Sequence, residues 1–105
     1  MIEFICYPRC TTCQKAQKWL DENKIAYELR DIKAQNPTRE ELAAWYQKSG
    51  LSLKKFFNTS GLLYKSLELK SKLSAMTEDE MLDLLALDGM LVKRPIIVAE
   101  DVVLV

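Results

Sequence analysis

The chain has 105 residues, 49% of them apolar, with fifteen basic and fifteen acidic side chains and no histidine. That length supports one domain, residues 1–105, around one core, and the balanced charge argues against a nucleic-acid or membrane surface. No basic segment leads into an apolar one at the start, and no apolar run approaches a membrane span. Three cysteines without a visible secretory signal fit a reducing cytoplasm.

The first run, Ile2-Glu3-Phe4-Ile5-Cys6-Tyr7, carries apolar residues on both faces and predicts a central strand covered on both sides. Cys6 reads there as core filler. The strand feeds Tyr7-Pro8-Arg9-Cys10-Thr11-Thr12-Cys13, and a helix is predicted from Thr11 to about Asn23. Its inward residues are Ala16, Trp19 and Leu20, with Lys15, Lys18, Asp21 and Glu22 outward. Two thiols three positions apart at a strand-to-helix junction form a cytosolic dithiol signature. At the N-terminal end of the helix, unpaired N–H groups and the macrodipole favour the Cys10 thiolate, and Arg9 adds a positive charge. Cys13, one turn on, can attack a mixed disulfide formed at Cys10. Two readings compete: a zinc half-site, for which zinc takes four ligands and only Cys6 remains to join the pair, and inert buried cysteines, against which the exposed turn at Pro8 and Arg9 argues. No metal site is expected.

Ile25 to Asp31 alternates, with Ile25, Tyr27 and Leu29 on one face, and predicts a half-exposed strand near the sheet edge, parallel to the first. Pro37-Thr38-Arg39-Glu40-Glu41 reads as a capping box opening a helix that buries Leu42, Trp45 and Tyr46 and stops at Gly50. Ser52 is placed to cap a short helix with Leu53, Phe56 and Phe57. Asn58-Thr59-Ser60-Gly61 is a loop, and Leu62, Leu63 and Leu67 suggest another short helix. A second capping box, Thr77-Glu78-Asp79-Glu80, opens a helix with Met81, Leu82, Leu84, Leu85 and Leu87, followed by Gly89. Residues 94–99 and 102–105 predict a hairpin turning at Glu100-Asp101. Pro95 belongs at the first position of its strand, where a cis Arg94–Pro95 bond fits.

The dithiol on its strand-to-helix turn, together with Lys93-Arg94-Pro95-Ile96-Ile97, resembles the glutaredoxin-like arsenate reductase family, which includes the Spx-type regulators. The segment Phe56 to Gly61 resembles its YffB-like members most. The resemblance covers essentially the whole chain. It implies an α/β, thioredoxin-like fold, with a mixed four-stranded sheet and a helical insert between the second and third strands. It also implies that Cys10 is the catalytic cysteine, with Cys13 resolving and Arg94 holding the thiolate and an oxyanion. Arg9, Thr11, Thr12, Asn58 and Pro95 are then expected around the substrate.

Two departures concern arsenate. Asn58 stands where arsenate reductases carry an arginine, and residues up to Val105 hold no counterpart of a further arginine beyond the hairpin. Each charge-assisted bond to a buried oxyanion contributes about 1.5–3 kcal/mol, so two losses weaken arsenate recognition by roughly two to four orders of magnitude. Lys54, Lys55 or Lys93 are candidate substitutes, without the planar fork of arginine.

The function expected is therefore a cytoplasmic thiol–disulfide oxidoreductase acting on a disulfide or oxyanion. No cofactor is bound, and glutathione or thioredoxin is the reductant. The alternative is an Spx-like redox sensor that binds RNA polymerase, since the Cys-Thr-Ser-Cys dithiol of those regulators is similar to residues 10–13.

Overall fold

A computed structural model of the chain describes residues 2–100 and 102–105. Four strands, β1 (Ile2–Cys6), β2 (Tyr27–Asp31), β3 (Ile96–Val98) and β4 (Val103–Leu104), form one sheet in the order β2-β1-β3-β4. β1 and β2 are parallel, while β3 runs antiparallel to both β1 and β4. Helix α1 (Thr11–Glu22) joins the parallel pair. Helices α2 (Arg39–Ser49), α3 (Leu62–Ser66), α4 (Leu69–Lys72) and α5 (Glu78–Leu87) lie between β2 and β3, with 3-10 turns at Leu53–Phe56, Leu73–Ala75 and Gly89–Leu91. This is the thioredoxin-like α/β arrangement with a mixed sheet and a helical insert.

β1 is central because it has apolar side chains for both faces. Ile5 enters the larger core with Leu42, Trp45, Phe56 and Leu85, whereas Phe4 and Cys6 pack with Cys13 and Leu20 beneath α1. Both predicted capping boxes form. Thr38 Oγ1 accepts from the Glu41 N–H at 3.1 Å while the Glu41 carboxylate accepts from the Thr38 N–H at 3.0 Å. Thr77 and Glu80 repeat the arrangement at 3.1 and 3.0 Å. Gly50 ends α2 in the left-handed region at φ 69°, as the stop signal requires.

The larger face is fastened to the sheet at two points. Arg30 on β2 meets both oxygens of Glu41 on α2, at 2.6 and 2.9 Å, and reaches Glu3 on β1 at 3.2 Å. The Arg30 guanidinium holds the Glu41 carboxyl down to about 2. Near the end of β2, Gly89 lies so close to the chain that an added Cβ would sit 2.0 Å from the Ile32 carbonyl oxygen. Only glycine permits that approach.

Several sequence expectations are corrected. Trp19 is 58% exposed, because the buried stripe of α1 runs through Cys13 and Leu20, and Trp19 lies about 100° round from Leu20. Leu29 is exposed on the edge strand, and Leu62 and Leu87 also face outward. Ser52 occupies the N-cap position of its 3-10 turn, but its side chain makes no capping bond. The hairpin strands are shorter than expected, and the Ala99 N–H donates to the Val102 carbonyl at 2.9 Å across the turn. Asp101 of that turn lies outside the described residues. α4 and its following 3-10 turn carried no sequence signal strong enough to predict them.

Candidate active site

β1 delivers the chain to the site and α1 receives it. The Cys10 N–H donates to the Tyr7 carbonyl at 2.9 Å, closing a turn whose tip is Pro8 and Arg9. The Gln14 side chain donates to the Pro8 carbonyl at 2.9 Å and pins that tip. Cys10 is the N-cap of α1, with extended backbone (φ −84°, ψ 122°), and no acidic residue occupies the first turn. Its thiol takes the place in which serine or aspartate would accept the first helical N–H groups. All three cysteines are free thiols.

The two dithiol sulfurs have opposite surroundings. Partial burial pushes the Cys10 thiol up, but the donors grouped around it outweigh that: the Cys13 N–H and thiol, the Arg94 guanidinium and the Thr12 N–H together bring it below the ordinary thiol value. Cys13 is 1% exposed, and its Sγ accepts from the Tyr7 N–H at 3.4 Å. Burial, opposed by that bond and reinforced by the charge on Cys10, pushes Cys13 up to about 12. Cys6 is buried behind it, and burial raises its thiol too.

Arg94 comes from the far end of the chain. Its bond to Pro95 is cis, and its guanidinium carbon lies 5.2 Å from the centre of the Tyr7 ring. Nε and Nη1 are buried without a hydrogen-bond partner among the described residues. The side chain lines a cleft of ≈ 550 Å³ together with Asn58, Ser60, Gly61, Leu62, Leu63 and Met90. Asn58 reaches that cleft because its segment pairs with the one leading to Arg94. The Asn58 N–H donates to the Leu91 carbonyl at 2.8 Å, the Lys93 N–H donates to the Phe56 carbonyl at 2.7 Å, and Phe57 bridges Val92. The Asn58 amide nitrogen folds within 2.7 Å of where a Gly61 Cβ would stand.

The expected site residues therefore gather unevenly. Cys10, Cys13 and Arg94 meet, and Asn58 shares the cleft of Arg94. Thr11 and Thr12 are exposed on the first turn of α1, and Thr12 contributes through its backbone N–H. Pro95 is half-buried after the cis bond. Arg9 is exposed at the tip of the turn, and the cation that lowers the Cys10 thiol is Arg94. Thr59 lines a separate cleft with Tyr64, Lys65, Glu68 and Lys70. Lys54, Lys55 and Lys93 are exposed and do not line the Arg94 cleft. Tyr7 was missed as a site residue, since an aromatic at a strand end reads as ordinary core.

A family model described as the ArsC family matches residues 6–105. The chain belongs to the ArsC family. YusI of Bacillus subtilis, described as uncharacterized, is 57% identical over 95 residues, which span 90% of this chain and 80% of YusI. The regulatory protein MgsR of the same organism is 33% identical over 97 residues, spanning 92% and 75%. The crystal structure of an ArsC family related protein from Bacteroides fragilis superposes with a TM-score of 0.98 at 60% identity, covering 99% of this chain and 87% of that one. A YffB protein superposes at 0.86 with 28% identity, covering 100% and 90%. As a member of this family the chain is a thiol redox protein.

Proposed function

We propose that the chain is a cytoplasmic thiol–disulfide oxidoreductase that works through Cys10 and Cys13 and prefers organic disulfides to arsenate. The observation that carries this reading is the contrast between the two thiols, one lowered at a helix N-terminus beside Arg94, the other buried and pushed up to about 12. The Cys10 thiolate attacks one sulfur of a disulfide, forming a mixed disulfide and releasing the first thiolate. That step neutralises Cys10 and removes its charge from beside Cys13, easing ionisation of the buried thiol. Cys13 then gives its proton to the released thiolate and attacks Cys10 Sγ, which expels the second thiolate and closes the Cys10–Cys13 disulfide. A thiol reductant, glutathione or the dithiol of thioredoxin, returns two electrons and reopens it.

Substrate preference follows from the cleft. Among the described residues Arg94 is the one charged residue lining it, Asn58 supplies a neutral amide, and Leu62, Leu63 and Met90 are apolar. Those walls suit the organic part of a disulfide, whereas arsenate needs several charged donors. Having Asn58 in place of one guanidinium weakens oxyanion binding by roughly one to two orders of magnitude. Turnover with arsenate and with a small organic disulfide, each supplied with glutathione or thioredoxin, is the test. Disulfide turnover with little arsenate reduction is expected; an arsenate kcat/KM within the usual enzymatic range of about 10⁴–10⁸ M⁻¹s⁻¹ overturns the preference.

The similarity to MgsR, a regulatory protein, favours a second reading: a redox-switched regulator that docks on RNA polymerase, as the Spx resemblance implies. Capture of RNA polymerase by the reduced or the oxidised chain alone, without disulfide turnover, selects that reading.

A further inference from the structure

Tyr7 meets Cys10, Cys13 and Arg94 without being a thiol or a cation. Its N–H donates to Cys13 Sγ at 3.4 Å, and its carbonyl accepts from the Cys10 N–H at 2.9 Å. Its ring lies against the Arg94 guanidinium, 5.2 Å from ring centre to guanidinium carbon. Arg94 needs such a neighbour, because two of its nitrogens are buried without an acceptor among the described residues. A guanidinium short of acceptors gains most from the negative face of an aromatic ring when both are shielded from water. No hydrogen bond of the Tyr7 hydroxyl is found among the described residues, so the ring face is the part that matters.

We propose that Tyr7 is a positioning residue for Cys10: its aromatic face holds the Arg94 guanidinium against the thiol, while its backbone sets the spacing of the two cysteines. The inference rests on the reading of Cys10 as the nucleophile and adds a residue that acts only through Arg94. The titratable or charged groups around Cys10 are Cys13 on α1, Cys6 on β1, Arg94 before β3 and the exposed Arg9 of the turn. Of these, Arg94 lies over the ring.

The test is the pH dependence of alkylation at Cys10, followed by mass mapping of the modified residue. Tyr7→Phe keeps the ring face and should leave the midpoint in place. Tyr7→Leu should lower the ionised fraction of Cys10, at a fixed pH below the midpoint, about threefold. In an Arg94→Met background, the same Tyr7→Leu change should add nothing. Tyr7→Leu also removes packing, so a series replacing Tyr7 by phenylalanine with progressively fluorinated rings keeps size and shape while draining the ring face. The midpoint should climb with fluorination. A flat fluorination series, or a Tyr7→Leu effect undiminished in Arg94→Met, overturns the proposal. If wild-type Cys10 alkylates no faster at neutral pH than an ordinary free thiol, the nucleophile reading fails and this inference falls with it. A reactive Cys10 with a flat series removes Tyr7 alone.

Discussion

Cys10 and Cys13 are three residues apart, yet one meets the N–H groups of a helix end and the other the apolar floor beneath the same helix. On the proposed reading, the difference in ionisation sets their order of action. Cys10→Ser should abolish reaction with oxidised glutathione, while Cys13→Ser should accumulate a stable adduct at Cys10. Intact mass after mixing each variant with oxidised glutathione decides it, and rapid capture at Cys13 in Cys10→Ser reverses the roles. At this scale the sequence was informative where spacing itself carries chemistry, in the Cys10–Cys13 interval, while the role of Arg94 before Pro95 came from the family resemblance. It was silent on Tyr7, whose partner Arg94 lies at the other end of the chain. It also placed Arg9 beside Cys10 by adjacency alone, whereas Arg9 is exposed at the tip of the turn.

Helix starts were the most readable elements, because capping is local. Thr38 with Glu41 and Thr77 with Glu80 satisfy one another within a single turn, and no tertiary contact is needed to predict them. Thr77→Ala should therefore cost about 1 kcal/mol of stability in urea unfolding, with the Cys10 alkylation curve unchanged. A loss within experimental scatter means that the box contributes nothing in this context. Helix faces were read less well. Trp19 was placed inward because large apolar residues usually are, but the buried stripe of α1 is set by Cys13 and Leu20, and the chemistry assigned to Cys13 hid its role as packing. α4 has four residues, too few for periodicity to show.

Across the molecule, the site depends on contacts between segments remote in sequence. The Asn58 strip aligned with Leu91 to Lys93 brings the cleft wall to Arg94, and the approach of Gly89 to Ile32 anchors the same stretch against the end of β2. Topology was legible because βαβ and hairpin patterns dictate their own pairing, and β1 announced its central place with apolar residues on both faces. The Gly89 contact was not legible, since a glycine after a helix reads as a stop signal. Gly89→Ala should force the chain away from Ile32 and cost about 1–3 kcal/mol or more. It should also slow Cys10 chemistry through displacement of the Arg94 segment. Unfolding curves and alkylation rates measured on one variant check both effects, and a neutral result on both counts against the anchor.

The unequal thiols also fix how many protons accompany reduction. A disulfide opened to two neutral thiols takes up two protons with its two electrons. Between the lowered value of Cys10 and about 12 for Cys13, the proposed Cys10–Cys13 disulfide should take up a single proton, because Cys10 would emerge as a thiolate. Its midpoint potential should then fall by about 30 mV per pH unit in that range, half the slope of a couple that binds both protons. Glutathione near neutral pH belongs to the steeper class, so a rise in pH strengthens it relative to this dithiol. Redox titration against glutathione buffers at several pH values measures the slope directly. A value near 60 mV per unit throughout means that Cys10 is protonated in the reduced protein.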